Sequence, residues 1–324
     1  MPTQQHSVDA LLGALVADSL AMPVHWYYDR VALARDYGEL DRCLAPRNPH
    51  PDSILWRSSY QALNPRGEIL HDQAAYWGQR DVHYHQFLSA GENTLNFQLV
   101  RLLYAQVKTQ GKYDPDLWLS TYQDFMLIPG RHRDTYIEEC HRAFFTNLAR
   151  GMPPRRCGVE DIHIGGLVPV PALFSALNNS DEAGLRQVVQ SHVALTHRHP
   201  NLLAAADTLT RLLLAIAEGE ALRPAIERLA TDWLSPRRLA QWATKADLEV
   251  IGVHLSPACY IVEAFPAALY LAWKYADDFT AGIRANARVG GDSCHRGAVV
   301  GSLLGLALGV PETWQTQLKD PLTC

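Results

Sequence analysis

Three short polar segments of the chain could do chemistry, and they lie at residues 18–28, 90–94 and 290–297. Each of them adjoins a stretch dominated by apolar residues, and each contains a carboxylate, namely Asp18, Glu92 or Asp292. Carboxylates in such surroundings can bind a cation or take part in general acid–base catalysis. The three segments are therefore candidates for one functional site.

Ordinary structural roles compete with a functional role at each segment. Asn93 or Thr94 could cap a helix that starts beside them, and Asp292 could cap the last helix of the chain. The glycine pair at 290–291 allows a tight turn and a close approach of backbone. Asp18 lies within an apolar stripe, so its carboxylate needs hydrogen bonds or a ligand to offset its desolvation.

Helices must position these segments, because apolar residues recur at spacings of three and four while period-two alternation is nearly absent. The clearest apolar stripes lie at residues 11–20, 95–103 and 202–216, and weaker ones lie at 116–126, 134–150, 182–194 and 235–246. Prolines and glycines separate the stripes, without a low-complexity linker. The sequence predicts one all-α domain that spans residues 1–324.

The last predicted helix has glycine at every fourth position, at residues 297, 301, 305 and 309. Each glycine in a helix interior costs about 1 kcal/mol relative to alanine. Close approach of another helix would offset this cost. The first helix offers a matching face of small residues, which are Gly13, Ala14, Ala17 and Ala21. We therefore expect the two ends of the chain to pack together in the core.

Composition argues against several classes of protein. The chain of 324 residues has 29 Lys and Arg against 34 Asp and Glu, and its net charge of −5 argues against nucleic acid as the main partner. Residues 1–7 lack the features of a signal peptide, and the longest near-apolar run, 297–310, is too short to cross a bilayer. We expect no membrane partner. Six scattered cysteines, at 43, 140, 157, 259, 294 and 324, are typical of reduced thiols in a cytoplasmic protein.

Three motifs resemble the ADP-ribosylglycohydrolase family, which includes the dinitrogenase-reductase-activating glycohydrolases. They are LGALVADSL at residues 12–20, THRHP at residues 196–200, and GGD at residues 290–292 before a glycine-rich helix. The resemblance extends from about residue 7 to residue 311. It implies a roughly orthogonal helical bundle that removes ADP-ribose from a modified target with a pair of magnesium ions.

The chain departs from this family where the magnesium ligands are expected. The second segment reads Gly91-Glu92-Asn93 in place of a Thr-Asp-Asp triplet. In the third segment, Cys294 replaces a second aspartate and His295 replaces a threonine. Magnesium prefers hard oxygen ligands in near-octahedral geometry, so we expect the paired site to be lost. Glu92 and Asp292 are the carboxylates left that could ligate a metal ion.

Four segments are similar to the branch of the family that contains the jellyfish lens crystallins, a branch that keeps the fold with altered metal motifs. They are PVHW at 23–26, AGENTLN at 90–96, PGRHRDTY at 129–136 and GDSCHRG at 291–297. With this resemblance, the candidates for catalysis are Glu92, Asp292 and Asp18. The candidates for substrate binding are His25, Asn93, Thr94, His132, Asp134, Thr135, Gly290, Gly291, Ser293, Cys294 and His295.

The sequence thus predicts a hydrolase that cleaves an N- or O-glycosidic bond of an ADP-ribosylated or related ribosylated substrate, with imidazoles in place of metal-bound water. The alternative is a non-catalytic member of the family, either nucleotide-binding or structural like the crystallins. Two other interpretations concern single features. Cys294 could be a nucleophile, and the pairs His83/His85 and His197/His199 could bind zinc, although no acidic or cysteine partner lies at a convincing spacing from them. Aromatic residues at 26–28 and 76–77 could stack on an adenine or belong to the core.

Overall fold

The computed structural model describes residues 4–177 and 180–322. It is 60% helical and has no strand within these ranges, so the predicted all-α fold is confirmed. Isolated bridges between loops are the only extended pairings there. Cys324 and the first three residues of the predicted polar N-terminus lie outside the described residues.

The α-helices of the described chain are α1 Gln4–Ala21, α2 Arg30–Tyr37, α3 Leu95–Gln110, α4 Pro115–Leu127, α5 Glu139–Ala149, α6 Val170–Ala176, α7 Glu182–Val193, α8 Pro200–Ala217, α9 Leu222–Leu229, α10 Pro236–Trp242, α11 Asp247–Glu249, α12 Ile261–Lys274, α13 Phe279–Arg288, α14 Ser293–Leu308 and α15 Glu312–Gln315. Short 3-10 turns occur at Met22–Val24, Leu55–Arg57, Pro65–Gly67, His71–Tyr76, Pro154–Arg156 and Ile164–Leu167, and a π turn occurs at Val250–His254.

Helices α1 and α14 pack against each other, as their small-residue faces predicted. A Cβ atom on Gly13 would lie 2.1 Å from the carbonyl oxygen of Gly301, and one on Gly301 would lie 2.2 Å from the carbonyl oxygen of Gly13. A Cβ atom on Gly305 would lie 2.4 Å from the carbonyl oxygen of Asp9. These separations leave no room for a side chain, so glycine is required where the two backbones meet.

The fourth glycine of the predicted stripe has a different role. Helix α14 ends at Leu308, and Gly309 follows it as the C-cap with φ of +75°. Its position in the backbone, and not a helix contact, explains why glycine is found there, because an L side chain is strained at such an angle. The expectation that Gly309 belongs to the helix face was therefore wrong.

Two segments have the length and hydropathy of a membrane span, and they are Ser7–Val24 and Pro200–Ala217. The first is 94% buried inside the fold and the second is 56% buried. Core helices of water-soluble folds share these properties, so the two segments carry little weight as membrane signals. Both contribute to the same hydrophobic core.

Candidate functional site

The first and third polar segments are joined by backbone hydrogen bonds at the start of α14. The amide of Trp26 donates to the carbonyl of Gly291 over 2.7 Å, and the amide of Gly291 donates to the carbonyl of Tyr27 over 2.6 Å. Gly290 and Gly291 have φ values of +67° and +65°. A Cβ on Gly291 would lie 2.0 Å from the carbonyl oxygen of Pro257. The predicted tight turn and close approach of backbone are both present.

Asp292 lies at the N-cap position of α14, but its side chain makes no capping hydrogen bond. The capping explanation for Asp292 is therefore wrong. Its Oδ1 atom lies 2.9 Å from Nε2 of His25 and 2.8 Å from Nδ1 of His295. Its Oδ2 atom is buried and has no hydrogen-bond partner. One oxygen of this carboxylate thus holds two imidazoles while the other is free to meet a ligand or water.

The hydrogen bonds of His25 continue to a second acid. Nε2 of His25 carries its proton because it faces a carboxylate, so in the neutral ring Nδ1 accepts a hydrogen bond from Nε2 of His85 over 2.8 Å. Nδ1 of His85 makes a very short contact with Oδ1 of Asp134. A proton must lie between these two atoms as well. His85 therefore links His25 to the Asp134 carboxylate.

The hydrogen bonds of His295 continue to a third acid. Nε2 of His295 lies 3.2 Å from Oε1 of Glu138 and 3.0 Å from the side-chain nitrogen of Asn96. Oδ1 of Asn96 lies 2.7 Å from Nε2 of His141. We refer to the six ionisable side chains that this arrangement links as the imidazole–carboxylate chain, and they are Asp134, His85, His25, Asp292, His295 and Glu138.

The two imidazoles beside Asp292 differ in charge. Burial lowers the pKa of His25 to about 3, against the opposing effect of Asp292, so His25 is neutral. Burial also acts against the charge of His295, but the carboxylates of Asp292 and Glu138 raise the pKa of this ring well above its usual value. His295 is therefore an imidazolium between two carboxylates.

The acids beside His295 are ionised in spite of their burial. Burial opposes the charge of Asp292, but the charge of His295 and the hydrogen bond from His25 hold its pKa well below the usual range. The same balance of burial against the charge of His295 lowers the pKa of Glu138 to about 2. The site thus combines fixed negative charge with a neutral imidazole that can pass protons.

Asp18 is held by the second polar segment, and both of its carboxylate oxygens accept hydrogen bonds from it. Its Oδ2 atom accepts hydrogen bonds from the side-chain nitrogen of Asn93 and from the amide of Thr94, both over 2.9 Å. Its Oδ1 atom accepts from the hydroxyl of Thr94 over 2.8 Å. Thr94 is at the N-cap of α3 without capping it. The side chains of Asn93 and Thr94 therefore hold Asp18, and the capping explanation for them is wrong.

These side chains do not fit the magnesium pair that the family resemblance implied. The amide nitrogen of Asn93 donates to Asp18, and its oxygen accepts from Nε of Arg101 over 2.9 Å, where a metal ligand would need a free oxygen. Burial raises the pKa of the Cys294 thiol well above its usual value, and its sulfur points to the carbonyl oxygen of Asp18. A protonated thiol, an amide and a hydrogen-bonded carboxylate are poor ligands for magnesium.

Glu92 belongs to a network separate from that of Asp292. Its carboxylate pairs with Arg133 and with Lys319, and it accepts a hydrogen bond from the amide of Ser89. Burial would raise its pKa, but the hydrogen bonds from Lys319 and Ser89 together with the charge of Arg133 lower it. Glu92 lines an open cleft of about 240 Å³ together with Asn93, Gln98, Arg101, Gly130, Arg131, His132, Arg133 and Asp320.

The remaining candidates occupy different surroundings. His132 lines the same cleft, and its Nε2 lies 3.1 Å from the carbonyl oxygen of Ile69. Thr135 is buried in loop packing, where its hydroxyl donates to the Gln73 side chain over 3.0 Å. The hydroxyl of Ser293 is buried, without a partner, next to Asp292. The structure thus brings His25, Asp134, Asp292 and His295 into one arrangement and leaves Glu92, His132 and Thr135 outside it.

Trp26 covers the imidazole–carboxylate chain. Its ring stacks on His25 with 3.7 Å between the ring centroids, and it contacts the edges of Tyr84 and Tyr136. Asp292 is fully buried beneath this layer. The Trp26 ring is itself half-buried, and the free oxygen of Asp292 is closed to solvent in this conformation.

Sequence reasoning missed His85, Glu138, Asn96 and His141 as members of the site. The spacing of His83 and His85 suggested a metal pair without an acidic partner, whereas the fold places Asp134 against His85. Glu138 adjoins the segment at 129–136 that resembles the crystallin branch, and this adjacency was the available signal for it. Asn96 is the last residue of the segment at 90–96.

The chain belongs to the ADP-ribosylglycohydrolase family, because the model of this family matches residues 2–323. A solved structure described as an ADP-ribosylglycohydrolase-related protein complex is similar over 97% of this chain and 92% of the other, with a TM-score of 0.57 and 22% identity. This likeness supports the fold alone. The comparison with curated proteins found no match.

Proposed function

We propose that this protein hydrolyses an N- or O-glycosidic bond of an ADP-ribosylated or related ribosylated substrate without a magnesium pair. Membership of the family supports the class of reaction. The observation that carries the proposal is the Asp292 carboxylate, which is buried, ionised, and has one oxygen without a partner. Such a group stabilises the positive charge that develops on ribose when the bond to the leaving group breaks.

The neighbouring imidazoles supply the proton transfers. Nε2 of His25 exchanges its hydrogen bond to Asp292 for one to the leaving atom and gives up its proton, while Nδ1 of the same ring takes a proton from His85, which remains hydrogen-bonded to Asp134. The low pKa of His25 means that its charged form releases a proton readily. Water then bonds to the ribose carbon, and its proton returns along the same path. The net reaction consumes one water and leaves the chain in its starting state.

The open cleft beside Glu92 is the proposed site for the diphosphate. Arg101 lines it, and Nη2 of this side chain is buried without a partner. Arg131 and Arg133 add positive charge to the same cleft. An unpaired guanidinium nitrogen suits a phosphate oxygen, which accepts strong charge-assisted hydrogen bonds.

Steady-state kinetics on ADP-ribosylated peptides and on an N-linked ADP-ribosyl nucleoside tests this function. We expect Asp292→Asn to lower kcat by about 100-fold or more, the loss typical of removing one transition-state group. Glu92→Gln is the comparison variant, and we expect it to act mainly on KM because Glu92 lies in the cleft and outside the imidazole–carboxylate chain. Equal kcat for wild type and Asp292→Asn would contradict the proposal.

A second candidate function is nucleotide binding or a structural role without catalysis. The complete burial of Asp292 favours it, because no reacting bond reaches this carboxylate in the conformation that the structure shows. The same assay separates the two candidates. Binding of ADP-ribose without turnover of any substrate would support the binding role, and absence of both would support the structural role.

A further inference from the structure

A second cluster of buried polar side chains lies beside the Glu138 end of the imidazole–carboxylate chain and shares none of its six side chains. It consists of Cys140 on α5, Asp161 in the loop before α6, and His197 before α8. Each offers one ligand atom, and these atoms all lie within 4.8 Å of one another. All three residues are buried. The proposed hydrolysis uses none of them.

The hydrogen bonds of His197 leave one nitrogen directed into this cluster. Nδ1 of His197 lies 2.8 Å from the hydroxyl of Thr196, whereas Nε2 is buried and has no partner. Nε2 and Oδ1 of Asp161 are 3.7 Å apart, which is too long for a hydrogen bond. Two ligands on one tetrahedral zinc ion, bound at about 2.0–2.3 Å, lie about 3.3–3.6 Å apart. The observed separation is close to that value.

Neighbouring groups hold the other ligand in place. Oδ1 of Asp161 lies 2.9 Å from Nδ1 of His163 and accepts a hydrogen bond from the amide of His163 over 2.7 Å. Outer hydrogen bonds of this kind, to the carboxylate and to the far nitrogen of the imidazole, are the usual support of metal ligands. Thr196 provides the corresponding contact for His197.

A small cavity adjoins the cluster and provides room for a further ligand. Its volume is about 60 Å³, and Cys140 and His197 both line it, as do Asn96 and His141. A cavity of this size, with polar groups in its wall, can hold water molecules. Three protein ligands and one open position are the arrangement of catalytic zinc sites.

We propose that Cys140, Asp161 and His197 bind one divalent ion of the zinc class, with an open coordination position that faces the cavity. A thiolate, an imidazole and a carboxylate together select zinc or cobalt over magnesium. The thiolate and the carboxylate balance the two positive charges of the ion, and His163, whose pKa the Asp161 and Cys259 side chains raise to about 11 against the effect of burial, loses its proton when the ion takes over the charge of Asp161. Binding replaces the thiol proton, which is released to solvent.

The other cluster that could hold a metal, His25 with Asp292 and His295, is a weaker candidate. Asp292 Oδ1 already accepts a hydrogen bond from His25 Nε2 over 2.9 Å and forms an ion pair with His295 Nδ1 over 2.8 Å. A metal ion there would have to break these contacts. In the second cluster, His197 Nε2 has no such partner to lose.

Titration of the metal-free protein with Co²⁺ and Zn²⁺ tests the site. We expect one Co²⁺ per chain, with an intense near-ultraviolet band from thiolate-to-cobalt charge transfer, and displacement of Co²⁺ by Zn²⁺ but not by Mg²⁺. Cys140→Ser should abolish the band, and His197→Gln should weaken Co²⁺ binding at least tenfold, the usual scale for a lost ligand or its support. Cys157→Ser and His50→Gln are the matched controls, because both residues are buried and neither belongs to the cluster or lines the cavity.

The outcomes are distinguishable even if one variant folds poorly. Zinc should raise the Tm of wild type and of Cys157→Ser, since a ligand that binds only the folded state stabilises it. It should leave the Tm of Cys140→Ser and of Asp161→Asn unchanged. No Co²⁺ binding by the wild type, or a charge-transfer band that persists in Cys140→Ser, would overturn the proposal. Neither result depends on the proposed hydrolysis.

Discussion

At the scale of single residues, Asn93 and Cys294 determine what the site can bind. Asn93 turns its amide nitrogen towards Asp18 and the carbonyl oxygen of Leu15, over 2.9 and 2.8 Å. An aspartate at position 93 would place a carboxylate against both of these acceptors. The amide thus removes a repulsion that a bound cation would otherwise have to neutralise.

The double variant Asn93→Asp/Cys294→Asp tests this interpretation. Without magnesium we expect it to be less stable than the wild type by about 3 kcal/mol or more, because it buries unpaired like charges next to Asp18. Magnesium should then raise its Tm. Thermal unfolding with and without Mg²⁺ measures both effects, and the wild type, which should show no Mg²⁺-dependent shift, is the control. If the double variant is as stable as the wild type and its Tm does not respond to Mg²⁺, the interpretation of Asn93 and Cys294 is contradicted.

At the scale of elements, the pair α1 and α14 forms the support for the site. The two helices touch through backbone at Gly13 and Gly301, and α14 starts directly after Asp292. A displacement of α14 along or away from α1 would therefore move Asp292 and His295 relative to His25. The position of the site depends on glycine at the crossing.

Gly301→Ala measures the strength of this dependence. The new methyl group would lie 2.2 Å from the carbonyl oxygen of Gly13, so one helix must shift, and we expect a loss of at least about 2 kcal/mol in the free energy of unfolding. Gly184→Ala is the matched control, because this glycine is also helical and its Cβ would meet only the side chain of Asp181. Chemical denaturation should show a change below about 1 kcal/mol for the control. Equal stability of the two variants would be inconsistent with the close crossing.

Helix periodicity predicted these elements well, and it could not predict the loops. The apolar stripes at residues 11–20, 95–103 and 202–216 correspond to α1, α3 and α8, because burial of one helix face repeats locally in the sequence. His85 and Asp134 lie instead in irregular segments that contact each other. Their backbones are held together by long-range bonds, such as that from the amide of Thr135 to the carbonyl of Tyr84. No local pattern encodes a contact of that kind.

At the scale of the whole molecule, the large number of histidines makes stability sensitive to acid. Burial lowers the pKa of His25, His50 and His192 to about 3 and that of His141 to about 4. In the unfolded chain a histidine has a pKa near 6.5. The unfolded state therefore binds more protons than the folded state below about pH 6.5, and the free energy of unfolding falls as the pH falls.

Chemical denaturation at a series of pH values between 7 and 4 checks this dependence. Each neutral buried histidine contributes a slope of about 1.4 kcal/mol per pH unit once the unfolded chain is protonated. His295, whose pKa is raised, is charged in both states below about pH 6 and adds no slope there, whereas between pH 7 and pH 6 only the folded state is fully protonated at this ring, which opposes the decline. In His192→Gln, the free energy of unfolding should fall less steeply with decreasing pH than in the wild type, and the difference should be about the 1.4 kcal/mol per pH unit of one histidine. Stability that is constant from pH 7 to pH 5 would contradict the neutral state of these rings.

The sequence predicted some of the acids in the site, but not how they are divided between separate networks. The resemblance to the family predicted the class of fold. It also named three of the four acids near α14, which are Asp18, Asp134 and Asp292. Glu138 was not named, and the division of the acids into separate networks could not be foreseen either. The division depends on which side chains the loops bring together, as in the pairing of Glu92 with Lys319 from the far end of the chain.

In the proposed function, the imidazole–carboxylate chain takes the role that the family resemblance implies for a magnesium pair. The most direct test of this function is the rate at which the wild-type protein releases ADP-ribose from an ADP-ribosylated substrate, measured in magnesium-free buffer and again with added Mg²⁺. We predict turnover at the same kcat in both conditions. Turnover only when Mg²⁺ is present would contradict the account, and so would the absence of turnover in either condition.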